Sequence, residues 1–394
     1  MAKKIAFLSD GKLFVKEPET DARRIESEFA QDVINRALQR NNKHQWKVGG
    51  GEDENFGQRN RLWGVSAEDP TLMRINIVTV TPGGKDNELL YALDTQTVGG
   101  LFTYDVGQNK EKRIFHREGL FIRDLDKHPL HEDMVVCSQR QKNGTASIAL
   151  CERAGVQSIT EGDCVDEAPT WVPNQKKQVV YQSAGLARSQ SGAYVGQGPS
   201  AVQKLDLETG EMTTLLEDAG FDFMSPHLTA GGDLYFIRRP YEVGGRVNYP
   251  PTRILLDVLL FPFRLIRAIA LYLNFFSMIY SKKPLITATG TKMDGLDMKS
   301  VFLRGRMINA EEMLKDAARS DEPPSLVPET WQLVKKTATG AEEILVKGAL
   351  AYDLDAQGNI VYSNGMAVYE LQADGGRKLL TKSGQVIENL VVFA

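Results

Sequence analysis

The chain has 394 residues, 42% hydrophobic and 25% charged, an ordinary globular balance long enough for one large domain or two smaller ones. Its net charge of −4, with no stretch interleaving aromatics and Lys/Arg, argues against a nucleic-acid binder. Three cysteines, Cys137, Cys151 and Cys164, none in a CxxC pair, fit a reducing compartment better than a disulfide framework.

The N-terminus, MAKKIAFLSDG, has only a short apolar run, Ile5 to Leu8, and lacks the apolar core of a secretory signal. The expectation is a cytoplasmic chain. KKIAFLSDG, KLFVKEP and ARRIES are short apolar runs separated by turn residues. FAQDVINRALQR then switches period: Phe29, Val33 and Ala37 fall on one helical face beside Leu38, which predicts an amphipathic helix. GGGEDENFGQRN, a polar glycine-rich loop, follows it. From Arg74 the short runs return: ELLYALD, LFTYDVG and KRIFHR, then DMVVCSQ, SIALCER and VQSITEG. Asn143-Gly144 lies between two of these runs and reads as a hairpin turn rather than a glycosylation acceptor. QVVYQS, AVQKLDLETGE and MTTLLED continue the pattern, and NIVYSNG, MAVYELQ and RKLLTKSG complete it.

Runs of four to seven residues, rich in Val, Ile, Leu, Tyr and Phe and bounded by Gly, Asn or Asp, are the signature of antiparallel hairpins. They recur roughly every 40–50 residues, the period of a propeller blade. The fold class is therefore all-β, a propeller of about six four-stranded blades with two helical insertions. The blades are placed at 3–28, 74–117, 119–162, 163–218, 219–240 resuming near 329, and 349–383. As domains these are 1–28, an insertion at 29–70, 71–240, an insertion at 241–328, and 329–394. The last segment, QVIENLVVFA, is a strand with no blade of its own, and the first blade lacks its innermost strand. Val386–Phe393 is expected to supply it, because open sheet edges would otherwise face each other unpaired.

DEAPTWVPNQKKQVVYQS (166–183), SPHLTAGGDLYFIRR (225–239) and DLDAQGNIVYSNG (353–365) resemble the repeat of TolB-type β-propellers. There a proline-containing inner strand leads into a turn and then a hydrophobic strand ending in Ser. KLDLETGEMTTLLED (204–218) is similar to the outer half of that repeat, while Asn174-Gln175 stands where Asp-Gly is usual. The resemblance covers most of the chain outside the insertions. It implies the fold but not one function, since such propellers serve as scaffolds, transport accessories, lyases and peptidase gates. It also implies acidic residues at the mouth of the central channel, for which Asp163, Asp166 and Asp222 are the candidates, with Glu167 beside them.

The second insertion holds TRILLDVLLFPFRLIRAIALYLNFFSMIY, residues 252–280. On a helix its charges Arg253, Asp257, Arg264 and Arg267 share one stripe, and Pro262 should kink it. The remainder is apolar, with Leu255, Leu259, Phe263, Ile266, Ile269, Leu273 and Phe276 the residues expected to be buried. Arg246, Lys282 and Lys283 flank it, as basic residues do beside a helix that meets anionic headgroups. Propeller strands on both sides must share one compartment, so an odd number of membrane crossings is excluded. The segment can lie in a membrane interface, pack on the propeller's flank, or bury itself in a partner or another copy. NAEEMLKDAARSDEPP, further on, has Asn309 with Glu312 as a capping pair for a short helix.

DLDKHPLHED (124–133) is the densest set of metal-ligating side chains, with His128 and His131 the weak candidates for a metal site and an inter-strand turn the competing reading. No Gly-x-Ser-x-Gly elbow occurs, and GGGEDEN lacks the Lys-Ser/Thr of a phosphate loop. The sequence therefore reads as a non-catalytic interaction scaffold without a cofactor, docked on a membrane surface or membrane-embedded partner through the segment near 253–280. Protein partners are expected and nucleic acid is not. Two alternatives stand beside it. One is a lyase or hydrolase at the channel mouth using His128/His131 or Asp163/Asp166. The other is a soluble homo-oligomer with the helix as interface.

Overall fold

A computed structural model describes residues 3–48, 75–131, 133–152, 155–175, 177–242, 301–308, 323–355 and 357–393. The first hairpin pairs β1 (Lys4–Ser9) with β2 (Lys12–Lys16), and β3 (Arg23–Ile25) adds outside it. Its turn is Asp10-Gly11, with φ of 52° and 66°, the two positive values that a two-residue type I′ turn requires. The helix α1 (Glu28–Val48) follows. Ser27 caps it, its Oγ accepting from the Ala30 N–H at 3.2 Å. Phe29 anchors its first turn against Phe102, ring centroids 5.0 Å apart.

β4 (Asn76–Pro82), β5 (Glu88–Asp94), β6 (Val98–Asp105) and β7 (Lys110–Glu118) form the next antiparallel meander. β7 is an exposed edge, and its Lys and Glu side chains discourage pairing with another chain. β8 (Ile122–Lys127), β9 (Val135–Arg140), β10 (Ala146–Glu152) and β11 (Gly155–Ser158) come next. β12 (Cys164–Trp171) and β13 (Gln178–Arg188) follow, with β14 (Tyr194–Gln197) folded on the far end of β13, then β15 (Ala201–Asp206) and β16 (Met212–Leu216). One parallel residue pair, Ala146 with Val165, joins these last two groups into a nine-stranded sheet.

β17 (Phe221–Leu228) and β18 (Leu234–Pro240) open a four-stranded sheet that the second insertion interrupts. The insertion's described part includes the hairpin of β19 (Val301–Leu303) and β20 (Arg306–Ile308). The sheet resumes with β21 (Gln332–Lys336) and β22 (Glu342–Lys347). A further meander is β23 (Ala351–Leu354), β24 (Ile360–Ser363), β25 (Ala367–Leu371) and β26 (Arg377–Lys382). Finally β27 (Ile387–Phe393) returns to the start and pairs antiparallel with β1, from Lys4 opposite Phe393 to Ser9 opposite Ile387.

The core explains the sequence pattern. Strands are buried on both faces, and alternate residues of one strand feed different apolar clusters. Leu89, Tyr91 and Leu93 of β5 pack with Leu13, Val15 and Phe102, while Leu90 and Ala92 pack with Ile122 and Cys137. Ile5 and Phe7 of β1 face Val361 and Val368, and Ala6 and Leu8 face the opposite way. Tyr235 and Ile237 of β18 join Tyr352 and Trp331, and Leu234 and Phe236 join Val202 and Phe223. Each cluster is thus shared by two neighbouring sheets, which makes face-to-face packing of sheets around an axis the source of burial. The axial strands are β27, β4, β8, β12, β17 and β23, each in contact with the next, and the Tyr352 hydroxyl bonds the Ser225 carbonyl at 2.7 Å where β23 meets β17.

The insert at 252–280, the helix expected over 309–322 and the loop after α1 lie outside the described residues. α1 covers the predicted 29–40 helix and runs eight residues further.

Candidate functional site

Two proline dipeptides shape the axis. Ala168 before Pro169 and Ser225 before Pro226 have φ of 49° and 50°. Positive φ is uncommon outside glycine, and a residue before proline is ordinarily extended. Both sit in β-bulges that turn a backbone N–H sideways. Ala168 then donates to Asp124 Oδ2 at 3.1 Å and Ser225 to Gln182 Oε1 at 2.9 Å.

Around this axis lies a cavity of about 610 Å³, part of it open to solvent, lined by all six axial strands and by Arg304. β4 gives Thr79 to Thr81, β8 gives Asp124 to Asp126, and β12 gives Ala168 to Thr170. Ser225 and His227, Ala351 and Tyr352, and Asn389 to Val391 complete it. Side chains tie strand to strand. Trp171 N–H donates to Asp126 Oδ2 at 2.8 Å, and Val392 N–H donates to Asp353 Oδ2 at 2.7 Å. Leu354 N–H donates to the other oxygen of Asp353 at 2.9 Å.

Burial pushes the Asp126 carboxyl up to about 7; the Trp171 N–H opposes this and the charge of Asp353 adds to it. Asp353 is likewise raised to about 7 by burial, against the pull of the Val392 and Leu354 N–H groups. His227 is lowered to about 4 by burial, although 30% of its side chain is exposed. That exposure is to the cavity it lines rather than to bulk water, so the desolvation stands. Its Nε2 lies 3.9 Å from Asp353 Oδ1, too far for a hydrogen bond. At neutral pH the site is therefore two carboxyls near half-ionisation beside an uncharged imidazole. Such groups can exchange protons or accept hydrogen bonds from a bound donor.

The β19–β20 turn is Arg304-Gly305, with φ of 46° and 81°, and it carries Arg304 to the cavity. Arg304 donates to the Glu388 carbonyl at 3.0 Å. Beside it Asp222 is buried, and its Oδ2 accepts from Arg239 Nε and Arg306 Nη2, both at 2.9 Å. Arg239 stacks 4.7 Å from the Trp331 ring. Burial, with the like charges of Arg306 and Arg304, lowers Arg239 to about 10 against the attraction of Asp222. Arg306 also reaches Glu242 at 3.4 Å. Glu167 is raised by burial and by Asp124 beside it, against Arg140, Arg123 and Arg304.

The residues expected at the channel rim do not line the cavity. Asp163 is 60% exposed and pairs with Arg188 at 2.7 Å. Asp166 is turned into the wall, accepting from Ser183 and Thr160 at 2.6 and 2.7 Å. Asp222 anchors the arginines just described. His128 is buried, its Nδ1 accepting from Leu130 N–H and its ring 4.6 Å from that of His131 and 5.1 Å from that of Trp171. Among the described residues no three His, Cys, Asp or Glu side chains come together to hold a metal. Arg253, Leu255, Leu259, Phe263, Arg264, Ile266, Arg267, Ile269, Leu273 and Phe276 lie outside the described residues. Sequence reasoning passed over Asp126, Asp353 and Arg304. The available signal was alternation: Asp124-Leu125-Asp126 puts two carboxylates on one face of a strand.

No family model and no curated protein matches the sequence. Solved structures do match in fold. TolB from Acinetobacter baumannii superposes with a TM-score of 0.50 at 10% identity, over 99% of this chain and 66% of that one. A chain of a Nidogen/Laminin complex gives 0.52 at 6% identity, over 100% and 98%. This chain thus spans just under two thirds of the TolB chain it matches. In fold, it is a TolB-like β-propeller.

Proposed function

We propose that this propeller is a non-catalytic interaction scaffold that docks on a membrane surface or a membrane-embedded partner through residues 253–280, on the cytoplasmic side. The observation that carries the reading is where the insertion is anchored. Glu242, the last described residue before the gap, and Arg306, just after it, meet in an ion pair beside Asp222. Tyr241 is fixed there too, its N–H bonding the Gly220 carbonyl at 2.8 Å and its hydroxyl the Gln197 carbonyl at 2.6 Å. The segment between leaves and rejoins the propeller at one place, the mouth that holds Arg304. A partner gripped by that segment is brought to this face. Burying Leu259, Phe263 and Phe276 supplies roughly 1.5–3 kcal/mol each, which outweighs the terms from exposed charges.

The test is fractionation of cells expressing the intact chain and a triple variant, Leu259→Glu, Phe263→Glu and Phe276→Glu. The intact chain is expected in the membrane pellet and resistant to high salt, with the variant in the supernatant. An intact chain that stays in the supernatant contradicts the docking. If it also runs there as a discrete oligomer that the variant dissolves, the segment joins copies of the chain.

A further inference from the structure

We propose that the axial cavity binds a cationic amine, an ammonium or guanidinium group, between Asp126, Asp353 and His227. This goes beyond the docking reading and does not depend on it. β8 and β23 are three places apart among the six axial strands, so Asp126 and Asp353 face each other across the axis. Each is held by backbone N–H donors of its own wall, Trp171 for one and Val392 with Leu354 for the other. Among the described residues neither forms an ion pair with lysine or arginine.

A second observation is independent of the carboxylates. His227 Nδ1 and Asn389 Oδ1 are buried atoms of residues that line the same cavity, and neither has a hydrogen-bond partner. Unpaired buried polar atoms cost about 1–3 kcal/mol and are ordinarily satisfied by water or a ligand. Two carboxylates, an amide oxygen and an imidazole lone pair make a set of acceptors. An ammonium brings three donors and a guanidinium five. A cation also relieves the repulsion between the two carboxylates, which a neutral donor does not.

The other charged groups facing the site are few. β8 adds Asp124, already bonded to Ser138 and Ala168, and β12 adds Glu167 at the Arg304 end. β23 adds the Tyr352 phenol, engaged with Ser225, and Asp355, which pairs with Lys3. β4 and β27 present Thr79 to Thr81 and Asn389 to Val391, which carry no charge. Arg304 stands at the mouth beside Glu388. The field within is negative, so binding strengthens as the carboxyls ionise and releases protons as it does so.

The experiment is calorimetric titration of the full chain at pH 5 and pH 8 at fixed ionic strength. The probes are n-butylammonium, methylguanidinium, tetramethylammonium and an end-blocked Gly-Lys-Gly peptide. Saturable binding of the first two at pH 8, weaker by about tenfold or more at pH 5, is expected. Tetramethylammonium, which has charge but no N–H, is expected not to bind. Asp126→Asn and Asp353→Asn, which keep the shape, should each weaken binding about tenfold, and His227→Gln less. A peptide that binds more tightly than n-butylammonium places the amine on a protein side chain; the reverse points to a free amine. No saturable binding at pH 8, equal binding of tetramethylammonium, or binding unaltered in both Asp variants overturns the proposal. Should one variant fail to fold, the other and the wild-type pH dependence still decide.

Discussion

Asp353 is held by two backbone N–H groups yet is destabilised as an anion, and this sets a pH dependence of known sign. Its folded value of about 7, like that of Asp126, lies above the usual 3.8, so the native state binds more protons between those limits. The stability these groups contribute is full below about pH 4 and is lost as pH rises to 7. His227 works the other way. Its folded value of about 4 lies below 6.5, so its contribution is lost as pH falls from 6.5 to 4. Above pH 6.5 only the carboxyls act. Urea unfolding across pH 4–8 should therefore show stability falling between pH 6.5 and 8, and Asp353→Asn should flatten that fall. His227→Gln should leave it and remove the loss on the acid side. Asp222 is a different case. Its removal strands two arginines whose side chains are 9% and 13% exposed, so Asp222→Ala should cost about 3–5 kcal/mol in denaturant unfolding. None of these roles was legible from residue types alone. Asp126 and Asp353 stand at strand ends next to turns, where Asp is common for local reasons, and only the meeting of distant strands brings them together.

The strands were legible because sheets packed on both faces need nearly continuous apolar runs, and ELLYALD, MAVYELQ and QVVYQS are such runs. The bulges at Ala168 and Ser225 were not, although their proline dipeptides mark them. α1 was legible only where its apolar face repeats. Its polar continuation, NNKHQWKV, is helical without a period to announce it. Gly99 in β6 shows how closely elements approach: a Cβ there would lie 1.9 Å from the Leu120 carbonyl oxygen, a backbone atom that cannot move aside. Gly99→Ala should destabilise by about 1–3 kcal/mol or more, measured by thermal unfolding. The pairing of β27 with β1 is a second element-scale test. Ending the chain at Gly384 would bare the β1 edge and the Ile5 and Phe7 side chains, now 1% and 2% exposed. The truncated chain should lose cooperative unfolding and accumulate in the insoluble fraction, as an unpaired hydrophobic edge predicts.

At the scale of the whole molecule, one face of the propeller differs from the other. Arg304 and the Asp222 cluster, with both anchors of the second insertion, share one mouth. The composition of 252–280 announced something other than a propeller strand, but no pattern in it told which end of the axis it would serve. That followed from Glu242 and Arg306, whose pairing no spacing could reveal. The account stands or falls on whether that insertion carries the propeller to a surface. The most direct measurement is liposome flotation of the intact chain beside one with Tyr249–Lys283 replaced by a short Gly/Ser linker, with and without anionic lipid. The intact chain is expected to float, more completely with anionic lipid, while the replaced chain stays at the bottom with its propeller folded. An intact chain that stays at the bottom with either lipid, or a replaced chain that floats equally well, would contradict the account.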